Sequence, residues 1–477
     1  MQNESKLISI SKKSFFSVVI ILLVLIIGAG ILTHVIPSGA YDRDGDMIIN
    51  GTYHLIEDTN GYPYWRLLLA PFEVLGSSDG LSIIVISIFI LVLGGTFTLM
   101  DKTGGIKVIL KRLIAKYKTK KYVLLRIVIL AFMMFGAFFG IFEESIALLP
   151  IMILLSLSLG WDTLIGLGMT MLAAGFGFAS AITNPFSIGI ASELANTNIL
   201  SGVWYRLIVF GVLYFILSTF MVRYAKKIDK DPTKSLTYED DLKKARSFDL
   251  SETMTFEREL VIYKAYIWMF IIFLVSILLI SVIDLILAVS LPTIPVMALI
   301  FLVGGLIAGY LVSRNIKYTL KVYLEGMLSV APAILLIMMA ASVKFVIVEG
   351  NVMDTILYYL SDVLSSQGAI VGILLIYALV IVTDFFIGSA SAKAYLVIPL
   401  LIPLASLVGY SKELAILAFV FGDGYTNVIF PTSAVMLVGL SIGGVSYGKW
   451  FRWSGLLQLG ILVLTALFLI LAVWIGY

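Results

Sequence analysis

The stretch Phe139-Gly140-Ile141-Phe142-Glu143-Glu144-Ser145 places two adjacent carboxylates inside a long apolar segment. A second stretch, Gly388-Ser389-Ala390-Ser391-Ala392-Lys393, divides a later apolar segment, and an offset of 249 residues sets Lys393 opposite Glu144. The same offset relates further pairs, namely Pro150 and Pro399, Gly160 and Gly409, Gly175 and Gly424, and Thr183 and Thr432. In a membrane protein, irregular backbone is tolerated only where it is buried in protein or lines a cavity. Two such interruptions in one chain are therefore typical of a secondary transporter.

The composition is that of a polytopic membrane protein. Hydrophobic residues make up 60% of the 477 positions and charged residues 13%, and the mean hydropathy is +1.05. A soluble domain is closer to half apolar and a quarter charged. The absence of cysteine excludes disulfides and thiolate chemistry, and the two histidines, His34 and His54, lie in or just after the segment where the chain first approaches the extracellular side. We therefore expect no enzymatic activity, no metal and no cofactor.

The apolar runs predict an all-α protein with two inverted repeats, two re-entrant hairpins and two broken helices. The first repeat, residues 1–222, comprises scaffold spans 14–36 and 80–100, hairpin 123–160, broken helix 162–196 and span 203–222. A cytoplasmic linker, 223–262, with a mainly solvated charged face, leads to the second repeat, 263–477. That repeat comprises spans 263–288, 294–313 and 322–348, hairpin 369–408, broken helix 412–446 and span 455–476. Each hairpin could instead be two full spans, but the charged or glycine-rich tips favour hairpins.

Lysine and arginine clusters predict the orientation. They lie at 102–126, 223–246, 314–321 and 449–452, and all four become cytoplasmic if the N-terminus is cytoplasmic and the chain crosses nine times. Arg206 then lies outside and its repeat partner Arg452 inside, so the repeats are inverted. Segments near 106–117 and 352–364 are expected to be interfacial arms.

Glu143 and Glu144 are the strongest candidates for binding. A charge at mid-membrane costs about 2.5–3.5 kcal/mol on insertion scales, so each needs a partner, a proton or a water-filled cavity. The alternatives are an internal salt bridge, for example to Lys393, or a tip that reaches the interface. The spacing does not show which of the two faces the substrate.

Lys393 is open to three interpretations: a clamp for a substrate carboxylate, a partner of Glu143 or Glu144, or a substitute for a coupling cation. Asp423 could bind an amine or an ion, or cap a helix. The remaining candidates are small polar residues at the tips and breaks, where half-helix N-termini suit a carboxylate, although single Ser and Thr side chains usually bond their own helix. They are Ser145, Thr183, Asn184, Ser389, Ser391, Thr426, Asn427, Thr432 and Ser433.

These motifs resemble the YfcC group of the family of anaerobic four-carbon dicarboxylate carriers. The resemblance covers nearly the whole chain and rests on the Glu143-Glu144 tip, Asn184-Pro185-Phe186, the Ser389–Lys393 tip, Gly422-Asp423-Gly424-Tyr425-Thr426-Asn427 and Pro431-Thr432-Ser433. It implies an ion-transporter-like fold, a homodimer, and an elevator motion of a transport domain against a scaffold. We expect the scaffold to contain spans 14–36, 80–100, 294–313 and 322–348.

The resemblance leaves two substrate classes. Some members of the group are arginine/ornithine antiporters, whereas the family label points to dicarboxylates. Two buried carboxylates suit a guanidinium or ammonium group and repel a dianion, so we predict exchange of cationic amino acids across the inner (cytoplasmic) membrane. The alternative is a proton- or sodium-coupled carrier of four-carbon dicarboxylates or other small organic anions, with Glu143 or Glu144 as the proton site.

The expected partners are a small-molecule substrate, namely the cationic amino acid, and membrane lipid, with no nucleic acid. An intramembrane hydrolase lacks a nucleophile–base pair, and a channel does not need two opposed hairpins.

Overall fold

A computed structural model describes residues 12–44, 47–49, 51–57, 61–117, 120–247, 256–287, 292–365, 368–407 and 409–477. Within these ranges eight helical segments are long and apolar enough to cross a membrane, and four shorter apolar helices accompany them. The prediction of an all-α polytopic membrane protein is confirmed. The described strands are two-residue pairs: Gly39–Ala40 (β1) with His54–Leu55 (β4), and Arg43–Asp44 (β2) with Met47–Ile48 (β3).

A first group of helices packs together and contains the four predicted scaffold spans. Thr96 donates to the Phe301 carbonyl at 2.8 Å, and Gly95 lies against the ring of Tyr323. Span 322–348 is divided at Pro332, which cannot donate a backbone hydrogen bond. The first group consists of α1 (Lys12–Val35), α3 (Gly80–Lys102), α12 (Phe256–Leu287), α13 (Thr293–Ser313), α14 (Ile316–Val330) and α15 (Pro332–Glu349), with the short α2 (Ala70–Glu73) beside them.

A second group is built around close backbone contacts. A Cβ atom on Gly177 would lie 2.0 Å from the Met133 carbonyl oxygen, and one on Gly424 would lie 2.2 Å from Ala179. Glycine lets these helices approach this closely because it has no side chain. The second group consists of α5 (Lys121–Phe139), α6 (Leu149–Ser158), α7 (Thr163–Leu167), α8 (Ala173–Ser180), α9 (Ile190–Leu194), α10 (Val203–Lys230), α17 (Ala369–Phe386), α18 (Ala390–Leu407), α19 (Lys412–Gly424), α20 (Ala434–Gly443) and α21 (Tyr447–Trp474).

Helices α5 and α6 are the two arms of a hairpin. Gly140 ends α5 in the left-handed conformation, with φ of 68°, and a 3-10 turn from Glu143 to Leu148 leads into α6. The arms meet again at their far ends, where Lys121 donates to the Leu159 carbonyl at 3.3 Å. Lys121 also pairs with Asp229 at 2.5 Å, beside the last residue of α10. We call this side of the molecule the Lys230 end.

Helices α17 and α18 form a second hairpin that opens at the opposite side. A Cβ on Gly372, near the start of α17, would lie 2.7 Å from the Tyr410 hydroxyl, just after α18. The neighbouring Ser411 donates to the Tyr477 carbonyl at 2.6 Å, and Tyr477 donates to the Gly202 carbonyl at 3.1 Å, immediately before α10. We call this side the Gly202 end. The two hairpins therefore enter the molecule from opposite ends.

The last helix of each predicted repeat runs in opposite directions. Tyr205, at the start of α10, donates to the Phe468 carbonyl near the end of α21 at 2.5 Å. Phe220, late in α10, packs its ring against Trp453, early in α21, at 5.3 Å. This antiparallel pairing places Arg206 and Arg452 at opposite ends, as an inverted repeat requires.

Each broken helix is interrupted at the motif that contains its proline. In the first, α8 ends at Ser180 and is followed by Ala181 in the left-handed conformation, with φ of 39°. Asn184 then accepts a hydrogen bond from Phe186 N at 2.9 Å as the next helical turn begins. In the second, a 3-10 turn follows α19, and Ser433 accepts from Met436 N at 3.4 Å at the start of α20. Both interruptions are thus capped by side chains.

The linker differs from the prediction in extent and in environment. Helix α10 continues to Lys230 and α12 begins at Phe256, and between them lies α11 (Tyr238–Ser247). Asp241 on α11 is 7% exposed and accepts from Thr163 N at 2.9 Å, and Lys244 donates to the Gly443 carbonyl at 2.6 Å. Helix α11 therefore joins the Lys230-end termini of both broken helices, so part of its charge is buried in specific contacts and not solvated.

The predicted arms are α4 (Gly105–Tyr117) and α16 (Met353–Ser365). Helix α16 carries Asp354, which pairs with Arg43 at 2.6 Å and accepts from Tyr41 N at 3.0 Å. These contacts fasten the small strands to the second arm.

The contact between α5 and α8 gives a prediction about stability. Replacing Gly177 with Ala forces a Cβ onto the Met133 carbonyl, and we expect a loss of about 1–3 kcal/mol because the backbones must separate. Thermal unfolding of the purified protein measures this loss. The matched control is Gly211→Ala in α10, where the new Cβ meets open space. Equal melting temperatures for the two variants would contradict the assigned packing.

Candidate functional site

Glu143 and Glu144 point into two separate apolar cavities. Each cavity has a volume of about 10 Å³, which is about the space that one water molecule needs. The Glu144 cavity is closed by α5 and α12 and is lined by Phe132, Phe135, Ile141, Ser145, Leu148, Phe273 and Leu274. The Glu143 cavity is closed by α3, α13 and α20 and is lined by Ile86, Phe89, Ile90, Ile146, Ile294, Ala434, Val435 and Val438. Both carboxylates thus lie at the boundary between the first and second helix groups.

Glu143 and Glu144 have no basic partner among the described residues. Glu144 is 6% exposed and Glu143 is half-buried, so neither projects freely into solvent. Within the described ranges, no lysine, arginine or histidine forms an ion pair with either carboxylate. The predicted alternative of a salt bridge to Lys393 is therefore wrong, because the Lys393 ammonium is engaged elsewhere.

Lys393 pairs with two aspartates of the second repeat. Its Nζ lies 2.6 Å from Asp423 Oδ1 and also donates to Asp384 Oδ1. All three side chains are at most 1% exposed. Of the three interpretations of Lys393, the structure shows the ion pair, but its partners are Asp384 and Asp423 and not Glu143 or Glu144. Asp423 binds an amine, as one alternative held, but the amine belongs to the protein.

Sequence reasoning missed Asp384. It is an acidic residue within the apolar run 369–388, only nine residues before Lys393. A carboxylate inside a predicted span is itself a signal of function. The comparison of the two predicted repeats does not reveal Asp384, because the offset of 249 residues places Phe135, an apolar residue, at the matching position of the first copy.

Four of the small polar candidates are bonded to nearby backbone. Ser145 donates to the Phe142 carbonyl at 2.6 Å, Thr183 to Phe138 at 3.0 Å and Thr426 to Gly422 at 2.7 Å. The Asn427 amide donates to the Asp423 carbonyl at 3.0 Å. The hydroxyl protons of the three Ser and Thr side chains are therefore already used in this arrangement.

Other candidates keep hydrogen-bonding capacity. The side-chain nitrogen Nδ2 of Asn184 is buried without a partner in the described structure. Ser389 and Ser391 lie 3.3 Å apart at their hydroxyls, and Ser389 is exposed at the second tip. Ser433 caps α20, and the neighbouring Thr432 is half-buried.

Each hairpin tip packs on the broken helix of its own repeat. A Cβ on Gly140 would lie 2.4 Å from Asn184 Oδ1, and one on Gly388 would lie 3.8 Å from Asn427 Oδ1. No hydrogen bond or ion pair between described residues joins the two tips. In the same ranges, His, Asp and Glu side chains form no group of three or more that could hold a metal ion.

The sequence has clear relatives among curated proteins. It is 30% identical over 441 residues to the "Putative basic amino acid antiporter YfcC" of Escherichia coli K12, covering 89% of this chain and 85% of the relative. It is 28% identical over 373 residues to an uncharacterised protein of Haemophilus influenzae Rd, covering 77% of this chain and 71% of the relative.

Two solved transporters align along almost the full chain. The YdaH transporter of Alcanivorax borkumensis, described as having an unusual topology, aligns with a TM-score of 0.43 at 17% identity, covering 97% of this chain and 98% of its own. MtrF of Neisseria gonorrhoeae, described among antimetabolite efflux pumps, gives a TM-score of 0.39 at 15% identity, covering 95% and 94%. Scores this low do not establish a shared fold.

A family model supplies the assignment. The model named DcuC, C4-dicarboxylate anaerobic carrier, matches residues 15–474. This range includes both hairpins, both broken helices and every helix of the two groups except the first residues of α1. The chain is a membrane transporter that belongs to the DcuC family of C4-dicarboxylate anaerobic carriers.

Proposed function

We propose that this transporter exchanges cationic amino acids, with arginine and ornithine as the expected pair, by an elevator-type motion. The observation that carries the proposal is that Glu144, which is buried, and Glu143, which is half-buried, lie at the boundary between the helix groups and pair with no basic residue of the described ranges. A carboxylate at this depth is costly until a cation or a proton joins it. A guanidinium or ammonium group supplies both the charge and the hydrogen-bond donors.

The overall charge of the buried groups also favours a cation. Asp384 and Asp423 already occupy the ammonium of Lys393, so this lysine is not available as a clamp for a dianion. The two glutamates add further negative charge to the same helix group. A dicarboxylate that entered would meet like charges, which costs energy in a low-dielectric site.

The size of the cavities supports movement between the helix groups. A volume of about 10 Å³ does not hold an amino acid. Substrate entry therefore requires the second group to shift away from α3, α12 and α13, which supply the opposing apolar walls. We propose that this shift is the elevator motion, with the second group moving as the transport domain.

The substrate's own carboxylate needs hydrogen-bond donors away from the glutamates. The unpartnered Asn184 Nδ2 is one, and it belongs to the break that packs on the first tip. We assign the hydroxyls of Ser389 and Ser391 to the same role once the second tip closes. Thr432 and Ser433 complete the polar surface at the second break.

We further propose that the Lys230 end faces the cytoplasm, with the N-terminus on that side, in the inner membrane. The basic residues at this end support the assignment. They include Lys121, which pairs with Asp229, and Lys449, which pairs with Asp240 at 2.7 Å. Basic residues concentrate on the cytoplasmic side of membrane proteins. A homodimer is expected from the family resemblance.

The second candidate is a proton- or sodium-coupled carrier of four-carbon dicarboxylates, the substrate class that the family is named for. The apolar walls around both glutamates favour it, since such surroundings stabilise a protonated carboxyl. In that case Glu143 or Glu144 would carry the coupled proton and would not contact the substrate's charge.

Transport assays in liposomes that contain the purified protein distinguish the cationic amino acid exchanger from the dicarboxylate carrier. We expect labelled arginine to enter vesicles preloaded with ornithine much faster than empty vesicles, because an exchanger returns only when loaded. Uptake of labelled succinate into empty vesicles under an imposed pH or sodium gradient provides the parallel assay for the alternative. Gradient-driven succinate uptake without stimulation by any basic amino acid would reject the cationic assignment.

Variants of the first tip test the role of the glutamates. Glu144→Gln or Glu143→Gln removes a charge-assisted hydrogen bond worth about 1.5–3 kcal/mol, so we expect arginine affinity to fall roughly 10- to 100-fold in at least one of them. Binding to purified protein measures the effect. The control is Glu193→Gln, which neutralises an exposed carboxylate on α9. If both tip variants bound arginine like the control, neither glutamate would belong to the site.

A further inference from the structure

We propose that Asp384, Lys393 and Asp423 form a proton-binding site, distinct from the glutamates of the first tip, that holds one exchangeable proton. The three side chains come from α17, α18 and α19, and we call them the buried triad. Lys393 Nζ lies 2.6 Å from Asp423 Oδ1 and donates also to Asp384 Oδ1. The proposal concerns the ion that the protein carries and does not depend on which solute is transported.

The charges of the buried triad do not balance. One ammonium faces two carboxylates, so the fully ionised triad carries one excess negative charge. Asp384 Oδ2 and Asp423 Oδ2 are both buried and lack a hydrogen-bond partner among the described residues. A buried charge without compensation costs several kcal/mol. One proton shared by the two carboxylates removes the excess.

Neighbouring groups do not supply the missing positive charge. Tyr425 lies near Asp384, but its hydroxyl bonds the Tyr377 hydroxyl, which also contacts Thr465 Oγ1 at 2.7 Å. The Thr426 hydroxyl lies beside Asp384 and donates to the Gly422 carbonyl at 2.7 Å. Segments 173–180 of α8 and 459–469 of α21 contain no titratable residue.

A metal ion is a poor alternative occupant. Sodium, calcium and magnesium need several oxygen ligands around one point, and here an ammonium already holds one oxygen of each carboxylate. The described residues offer no larger acidic group that could hold a metal ion. A proton requires only a single free oxygen, and two are present.

The position of the triad at the second hairpin links proton binding to the separation of the two hairpin arms. Asp384 precedes the second tip and Lys393 follows it, so the ion pair ties the two arms together. Gly388 and Ser389 between them are exposed, whereas the triad is buried. Separation of the arms would admit water to the carboxylates, and the O–H bond would then break with transfer of the proton to water. Closure of the arms would trap a proton again.

Infrared difference spectroscopy of the purified full-length protein tests the site. A protonated carboxylic acid has a carbonyl band that an ionised carboxylate lacks. We use a Glu143→Gln, Glu144→Gln background, so that the acids of the first tip do not contribute. At neutral pH this background should show the band, and adding either Asp384→Asn or Asp423→Asn should remove it. Each of these substitutions leaves one carboxylate paired with one ammonium. The charges of this pair balance, so the remaining carboxylate does not need a proton.

The control and a second variant keep the test decisive. Asp354→Asn alters a carboxylate that is paired with Arg43 and should leave the band unchanged. Lys393→Met removes the ammonium, so both aspartates need protons and the band should strengthen. The site is overturned if the background lacks the band, if the band survives in both aspartate variants, or if Lys393→Met leaves it unaltered. These spectroscopic results do not depend on the arginine exchange assay. A failure of the proposed substrate assignment can therefore be distinguished from a failure of the proposed proton site.

Discussion

The structure depends on the cost of placing charge in an apolar medium. Two groups of apolar helices enclose acidic and basic side chains that water does not reach, and each of these must be paired, protonated or joined by a ligand. The second tip satisfies this requirement within the protein, because Lys393 is held between Asp384 and Asp423. The first tip does not, because Glu143 and Glu144 face apolar walls. This difference between the tips gives each its proposed role.

The two predicted repeats have similar helix arrangements and differ in the charged residues at their tips. In both, a hairpin packs on a broken helix of the same repeat, and the two hairpins open at opposite ends of the molecule. The charged residue at the matching position is Glu144 in one copy and Lys393 in the other. Helix α11 then joins the broken helices of both copies through Asp241 and Lys244. These contacts support the proposed motion, in which the second helix group would move as one body against the first with the glutamates on its moving surface.

The sequence predicted the architecture better than the site. Helix lengths, the hairpin arms and the breaks at Asn184-Pro185 and Pro431 follow from apolar runs, glycine and proline, which are local signals. The partner of Lys393 could not be predicted in this way, because Asp384 and Asp423 reach it through the packing of three helices. Likewise, nothing local to Asp241 indicates that it bonds Thr163, so the linker was expected to be solvated. Helical spacing already indicates that Glu143 and Glu144 point in different directions, about 100° apart. The cavities that they enter could not be predicted, because distant helices supply the walls.

We propose that the carboxylates of the first tip, which pair with no basic residue in the described part of the chain, make the resting site complementary to a cation. Thermal unfolding of the purified transporter in the presence of single solutes tests it most directly, because a ligand that binds only the native state adds about 2.7 kcal/mol of stability at a hundred times its dissociation constant. Arginine and ornithine should raise the melting temperature, and succinate at the same concentration and pH should leave it unchanged. Stabilisation by succinate, with no response to any basic amino acid, would contradict the account.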